Sequence, residues 1–167
     1  LGYNPIYFSY PFGEYSKEQR DYIGKNFKFA FGQHSGVIDF NKNKYELPRF
    51  PINEKYGEHK RFTTITKTLP FKYKKIYPEE KFLANNDNPP KVKIEFYENI
   101  KNLKLINCFS NEGNNWRNSK IEFIKDNILK VNIDEKFIGE RGRINCSLKE
   151  KNNYWRWLGI QFVLADK

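Results

Sequence analysis

Residues 6–38, IYFSYPFGEYSKEQRDYIGKNFKFAFGQHSGVI, constrain the fold more than any other stretch. Ile6, Tyr7, Phe8 and Ser9 form a short apolar, aromatic run that Pro11 and Gly13 close, as breakers do at the end of a strand. Ser16-Lys17-Glu18-Gln19 has the form of a capping box, a hydroxyl followed three residues later by an amide. The spacing predicts a helix from Lys17 to about Lys25, with Gly24 and Asn26 suited to ending it. FKFAF, Phe27 to Phe31, is dense in aromatics, as a buried strand would be. Strand, helix, strand makes a βαβ unit, whose strands run parallel with a right-handed crossover. Ligands of such units bind beyond the carboxyl ends of the strands. The loops YPFGEY and GQHSG are therefore expected as neighbours, and any chemistry of the first third belongs there.

After this unit, DFNKNK reads as a polar loop. YELPRFPIN, Tyr45 to Asn53, reads as a third short strand, and Pro48 and Pro51 make it an edge or terminal one. EHKRFTTITKTLP suits one or two helical turns with Phe62, Ile65 and Leu69 on one side, although its β-branched run weakens that reading. Residues 70–90 carry Pro70, Pro78, Pro89, Pro90 and the run ANNDN, and are expected to be a linker. From Lys91 the pattern changes to short alternating runs: VKIEFY, LKLINCFS, KIEFI, ILKVNI, GRINCSL and WRWLGIQFVLA. Val92, Ile94 and Phe96 share one face, Lys93 and Glu95 the other. Turn residues at 112–115, 126–127 and 151–153 separate the runs. Residues 91–167 are thus expected to form a small antiparallel β-sandwich, immunoglobulin-like in general form. The whole chain reads as α+β, mostly β.

Net charge is +10, with 30 Lys and Arg spread along the chain and aromatics at 17%. The aromatic content argues against global disorder. Because the basic residues are scattered, a plain compositional bias accounts for the charge first; the sharper alternative is a surface for an acidic polysaccharide or an anionic envelope. No nucleic-acid-binding motif and no apolar run long enough for a membrane span is present. Cys108 and Cys146 have no CxxC or His-rich neighbour, which argues against zinc. Each lies on the apolar side of an alternating run, with Ile106 beside Cys108 and Ile144 and Leu148 beside Cys146. A disulfide between two strands is expected, and with it an exported protein; two buried free thiols are the alternative.

The runs YFSYPFGEYS, FAFGQHSG and LPRFPINEKYG, in that order, resemble the last third of the catalytic domain of polysaccharide deacetylases. This is the NodB-homology family, carbohydrate esterase family four. LINCFS, ERGRINCS and YWRWLGIQF resemble the small β domain that follows it in some bacterial members. The resemblance implies removal of acetyl groups from a polysaccharide with zinc or another divalent metal. It implies that residues 1–69 are the carboxyl-terminal portion of a (β/α) barrel, followed by the linker and the β domain. The family's metal ligands and catalytic base lie upstream of its PFG loop. With five residues before Ile6, this chain is expected to lack them, to bind no cofactor itself and to be inactive alone. Its partners are then the polysaccharide, the remainder of the barrel and, through strand edges left open, a second copy.

By the same resemblance Tyr10, Pro11, Phe12, Gly13 and Glu14 line the substrate groove, with the Phe12 amide toward the oxyanion. Ser9 stands where the family often has an arginine that orients the base. His34 is the candidate general acid, matched to a leaving amine near neutral pH, although GQHS does not reproduce the family's L-x-H pattern. His59, in EHKR, reads as solvated. Trp155 and Trp157 share a strand face and read as core, whereas Trp116, in NNWRN, is the better candidate for an exposed sugar platform. Arg141 and Arg143 also share a face and could meet an acidic group.

Overall fold

The computed structural model describes residues 2–39, 41–97 and 100–164. Phe40 of the expected DFNKNK loop, and residues 165–167 of the expected β domain, lie outside the described residues. The first third folds as β1 (Tyr7–Ser9), a 3-10 turn (Pro11–Gly13), α1 (Lys17–Asn26) and β2 (Phe29–Phe31). The two strands are parallel, with Tyr7 opposite Phe29 and Ser9 opposite Phe31. The capping box forms: Gln19 N donates to Ser16 Oγ at 3.1 Å, and Ser16 N to Gln19 Oε1 at 2.9 Å. Phe8 and Ala30 turn toward Tyr10, Tyr15, Ile23 and Tyr45, which make a small aromatic core. Tyr7, Phe29 and Phe31 share the opposite face by strand alternation; Tyr7 stacks on Phe29 and is 60% exposed.

The chain continues through α2 (His59–Thr66), β3 (Thr68–Pro70), β4 (Tyr73–Tyr77), β5 (Phe82–Leu83), β6 (Val92–Phe96) and β7 (Asn107–Ser110). It ends with β8 (Arg117–Ser119), β9 (Ile121–Lys125), β10 (Ile128–Val131), β11 (Arg141–Lys149) and β12 (Trp155–Leu164). The molecule is mostly β with few helices. One antiparallel sheet has the order β4-β6-β10-β9. The larger sheet runs β3-β12-β11-β7-β8, with β5 also against β12; β3 and β5 are parallel to β12 and the other pairings are antiparallel.

A single hydrophobic cluster takes Val92, Ile94, Phe96, Leu129 and Val131 from the first sheet and Ile144, Cys146, Leu148, Leu158, Ile160 and Phe162 from the second. Alternation supplies these side chains: in β6 every second residue is buried. Phe71, Phe96 and Phe162 are fully buried, and each contributes on the order of 2–3 kcal/mol by leaving water. Cys108 and Cys146 are directly opposite each other on β7 and β11 and form a disulfide between neighbouring strands of one sheet, with Cα atoms 4.0 Å apart. Both face the core, as the alternation predicted.

Three expectations require correction. The third strand at Tyr45–Asn53 is reduced to one parallel bridge, Phe31 to Leu47; Pro48 and Pro51 remove the donors a longer ladder needs. Residues 70–90 are not a bare linker. They supply β4, β5 and the buried Phe71 and Leu83, so both sheets recruit strands from a stretch whose prolines mark turns. Trp155 and Trp157 are not in the central cluster. Their side of β12 is that of Gly159 and Gln161, opposite to Leu158, Ile160 and Phe162.

That outer side of β12 receives the βαβ unit. Gly36 bridges Leu158, and at Gly159 a Cβ would strike the Ser35 backbone, so only glycine permits this approach. Gln161 Nε2 donates to the carbonyls of Phe12 and Gly13, each at 3.3 Å.

Candidate functional site

The loops at the carboxyl ends of β1 and β2 do meet. Gly13, at φ +71°, lies so close to Gln33 that no side chain fits between them. Yet the residues expected to line a groove are largely engaged with the protein itself. Tyr10 is buried, and its hydroxyl donates to the Tyr45 carbonyl at 2.9 Å. Burial pushes the Tyr10 hydroxyl up to about 12. Glu14 accepts from Arg141 Nε at 2.5 Å, and the same guanidinium lies 5.3 Å from the Phe12 ring centroid. Pro11 is exposed and Phe12 is 66% exposed, whereas Gly13 is buried. Tyr10, Pro11 and Glu14 line one shallow cavity and Phe12 and Glu14 another; His34 lines neither.

His34 instead forms a wall between two other cavities. The first, about 390 Å³, is bounded by Tyr15, Arg20, Glu46, Tyr73, Lys81 and Gln161 among others. Within it Arg20 Nη1 is 3.0 Å from Glu46, and Lys75 pairs with Glu79. Burial, reinforced by Lys42 and Lys81, lowers the His34 imidazole to about 3. Burial likewise lowers Lys42 and Lys81 to about 8 each. The fold thus biases His34 toward the neutral imidazole, whereas the general-acid role implied by the resemblance uses the protonated form.

The second cavity, about 450 Å³, lies on the outer face of the larger sheet. Arg143, Asn145 and Trp157 of β11 and β12 form its floor. The segment from Gln33 to Ser35, with Arg49, Asn53, Tyr56 and Arg61, forms its walls, and Trp116 stands at its margin, 53% exposed. Each wall has a local cause. The Gly159 approach fixes the Gln33–Ser35 loop against β12. Arg49 N donates to the His34 carbonyl at 3.1 Å, and Phe50 meets Trp157 edge-on with centroids 6.2 Å apart. Arg61 Nε donates to the Tyr56 carbonyl at 3.1 Å while its guanidinium covers the Tyr56 ring. Trp157 Nε1 is the buried side-chain polar atom left without a hydrogen-bond partner among the described residues, a condition common at functional sites.

The charge pattern of this cleft is one-sided. The arginines of the chain are Arg20, Arg49, Arg61, Arg117, Arg141, Arg143 and Arg156. Arg20, Arg117, Arg141 and Arg156 each pair with a carboxylate. Arg49, Arg61 and Arg143 have no carboxylate partner among the described residues, and all three line the cleft. No Asp or Glu among the described residues lines it.

Comparison with protein-family models, curated proteins and solved structures found no match.

The metal implied by the sequence resemblance has no fitting donor set here. Among the described residues no group of three or more His, Cys, Asp or Glu converges, and His34, pressed by two lysines, is a poor start for one. Of the cleft residues, His34, Trp116, Trp157 and Arg143 were singled out from the sequence. Arg49, Tyr56, Arg61 and Asn145 were not, although Arg49 and Tyr56 share the run LPRFPINEKYG.

Proposed function

We propose that this chain is a non-catalytic saccharide-binding unit and that the cleft beneath Trp116 is its binding site. The observation that carries this is the combination of an exposed indole at the cleft margin, a second indole in its floor and amide side chains on both sides. Sugar rings present apolar C–H faces and a rim of hydroxyls. Trp116 and Trp157 offer surfaces for the faces, and Asn53, Asn145 and Gln33 offer donors and acceptors for the rim. A cavity of this size suits roughly one or two sugar rings. The two sheets are read as the layers of an immunoglobulin-like sandwich, supported by their shared core. Its disulfide joins neighbours in one sheet instead of crossing between sheets.

A second reading is that the chain belongs to a polysaccharide deacetylase whose complete barrel hydrolyses acetyl groups. The parallel βαβ unit, with its two carboxyl-end loops in contact, favours it. Phe12 N–H makes no hydrogen bond among the described residues, while the N–H groups of Tyr10, Gly13 and Glu14 all do. A free amide at that point suits an oxyanion. The disulfide, together with the lack of any helix long and apolar enough to cross a membrane among the described residues, is compatible with an exported protein.

Electrophoresis through gels cast with soluble polysaccharides separates the readings. The binding unit predicts retardation of the chain by at least one polysaccharide, lost on Trp116→Ala. Release of acetate from an acetylated polysaccharide by the chain joined to the remainder of the barrel, and not by this chain alone, would favour the second reading instead. Unaltered mobility in every gel would contradict the first.

A further inference from the structure

The cleft's ligand carries negative charge: we propose that it recognises an acidic saccharide, one bearing a carboxylate or a sulfate ester. This rests on the saccharide-binding reading and specifies the class of sugar. The warrant is the selective absence of partners. Every arginine elsewhere in the chain is neutralised by an acid, and Arg49, Arg61 and Arg143, from three separate segments, converge on one cavity without one. Three like charges brought together repel. Such an arrangement is retained where an anion completes it, and guanidinium is suited to planar, two-pronged contact with carboxylate or sulfate oxygens.

Existing contacts leave those prongs free. Arg61 uses Nε on the Tyr56 carbonyl, and Arg143 uses Nε on Gln161 Oε1 at 3.4 Å. The terminal nitrogens of both make no hydrogen bond among the described residues. Burial and the neighbouring Arg141 lower the Arg143 guanidinium from its ordinary value, the direction expected of a cation awaiting a counter-charge. The adjoining cavity behind His34 contrasts with this: Glu46 and Glu79 stand among its basic residues, paired with Arg20 and Lys75.

Nucleic acid also combines anions with stacking faces. A saccharide is favoured because the arginines without carboxylate partners line one cleft beside amide side chains, whereas a strand of phosphates needs a basic track. The test uses the whole chain and matched probes: oligogalacturonate against its methyl ester, dextran sulfate against dextran, and an oligothymidylate. Two variants carry equal loss of charge. One replaces Arg49, Arg61 and Arg143 with Gln; the other replaces the exposed Lys104, Lys120 and Lys125, away from the cleft, with Gln. The expected result is that the chain binds an acidic probe at least about tenfold more tightly than its neutral counterpart. The arginine variant should lose that preference and the lysine variant keep it, since charged hydrogen bonds are worth about tenfold or more each. Equal, Trp116-dependent binding of acidic and neutral probes overturns the inference and leaves the binding unit standing. Binding to no saccharide overturns both. Equal losses in the two variants, or tighter arginine-dependent binding of oligothymidylate, overturn the inference.

Discussion

Glu14 and Arg141, far apart in sequence, meet with Oε1 2.5 Å from Nε, and the pair fastens the PFG turn to the start of β11, an interior strand of the larger sheet. Both side chains are about three-quarters buried, at 25% and 23% exposure, so the pair is screened less than a surface one. It makes the loop expected to hold substrate an attachment between the βαβ unit and the sheets. A double-mutant cycle on Glu14→Gln and Arg141→Gln should show a coupling of about 1 kcal/mol in urea denaturation, with faster proteolysis at the turn in either single variant. Coupling indistinguishable from zero would mean that Gln161 alone holds the loop.

The disulfide closes a loop of 38 residues between strands that already pair. Most of its effect lies in the unfolded chain. Replacing both cysteines with Ala should lower stability by roughly 3–4 kcal/mol, read from denaturation midpoints. Alkylation of the unfolded, unreduced protein should find no free thiol. Two alkylated thiols would refute the bridge.

His34 gives the molecule a specific acid sensitivity. The imidazole is lowered to about 3 in the folded state, while in the unfolded chain it titrates near 6.5. Between these values the unfolded chain takes up a proton that the folded one refuses. Stability is therefore complete above about pH 6.5 and falls as pH drops toward 3. Urea midpoints should decline less on acidification in His34→Gln than in the wild type. Parallel decline of the two proteins would show that this imidazole is not held neutral by the fold.

Tyr7, Phe29 and Phe31 present an aromatic face on a two-stranded parallel sheet, an element normally covered on both sides. If the second copy expected from the sequence forms, this face is where it would be covered. Light scattering should show concentration-dependent dimers, reduced by Tyr7→Lys, whose charge opposes burial. A monomer at every concentration would count against it.

The βαβ unit was legible because its signals are local: capping box, breakers and aromatic runs each act within a few residues. The disulfide was legible because alternation fixes which way each cysteine points. Other features depend on pairing across long separations, which periodicity does not encode. β4 was hidden because Pro and Lys around it read as linker, yet Phe71 and Ile76 pack on a core built from residues beyond 91. β8 is Arg-Asn-Ser, with no apolar pattern at all. Glu112 read as part of a turn, but it is 1% exposed and accepts from Ser110 Oγ and Glu135 N, each at 2.6 Å. The cleft was half legible. Trp116 and Arg143 stand out in sequence, whereas Arg49 and Arg61 acquire meaning only when Gly159 admits the second loop and brings their segment over β12.

The most direct test of the saccharide-binding account is a titration of the isotope-labelled chain, observed by nuclear magnetic resonance, with hexasaccharides of galacturonic acid and of N-acetylglucosamine. The account predicts saturable shifts at the indole N–H of Trp116 and Trp157 and at the amides of Asn145, Arg143 and Tyr56, with Phe12 and Glu14 unmoved. Spectra unchanged by either sugar, or changes centred on Phe12 and Glu14, would contradict it.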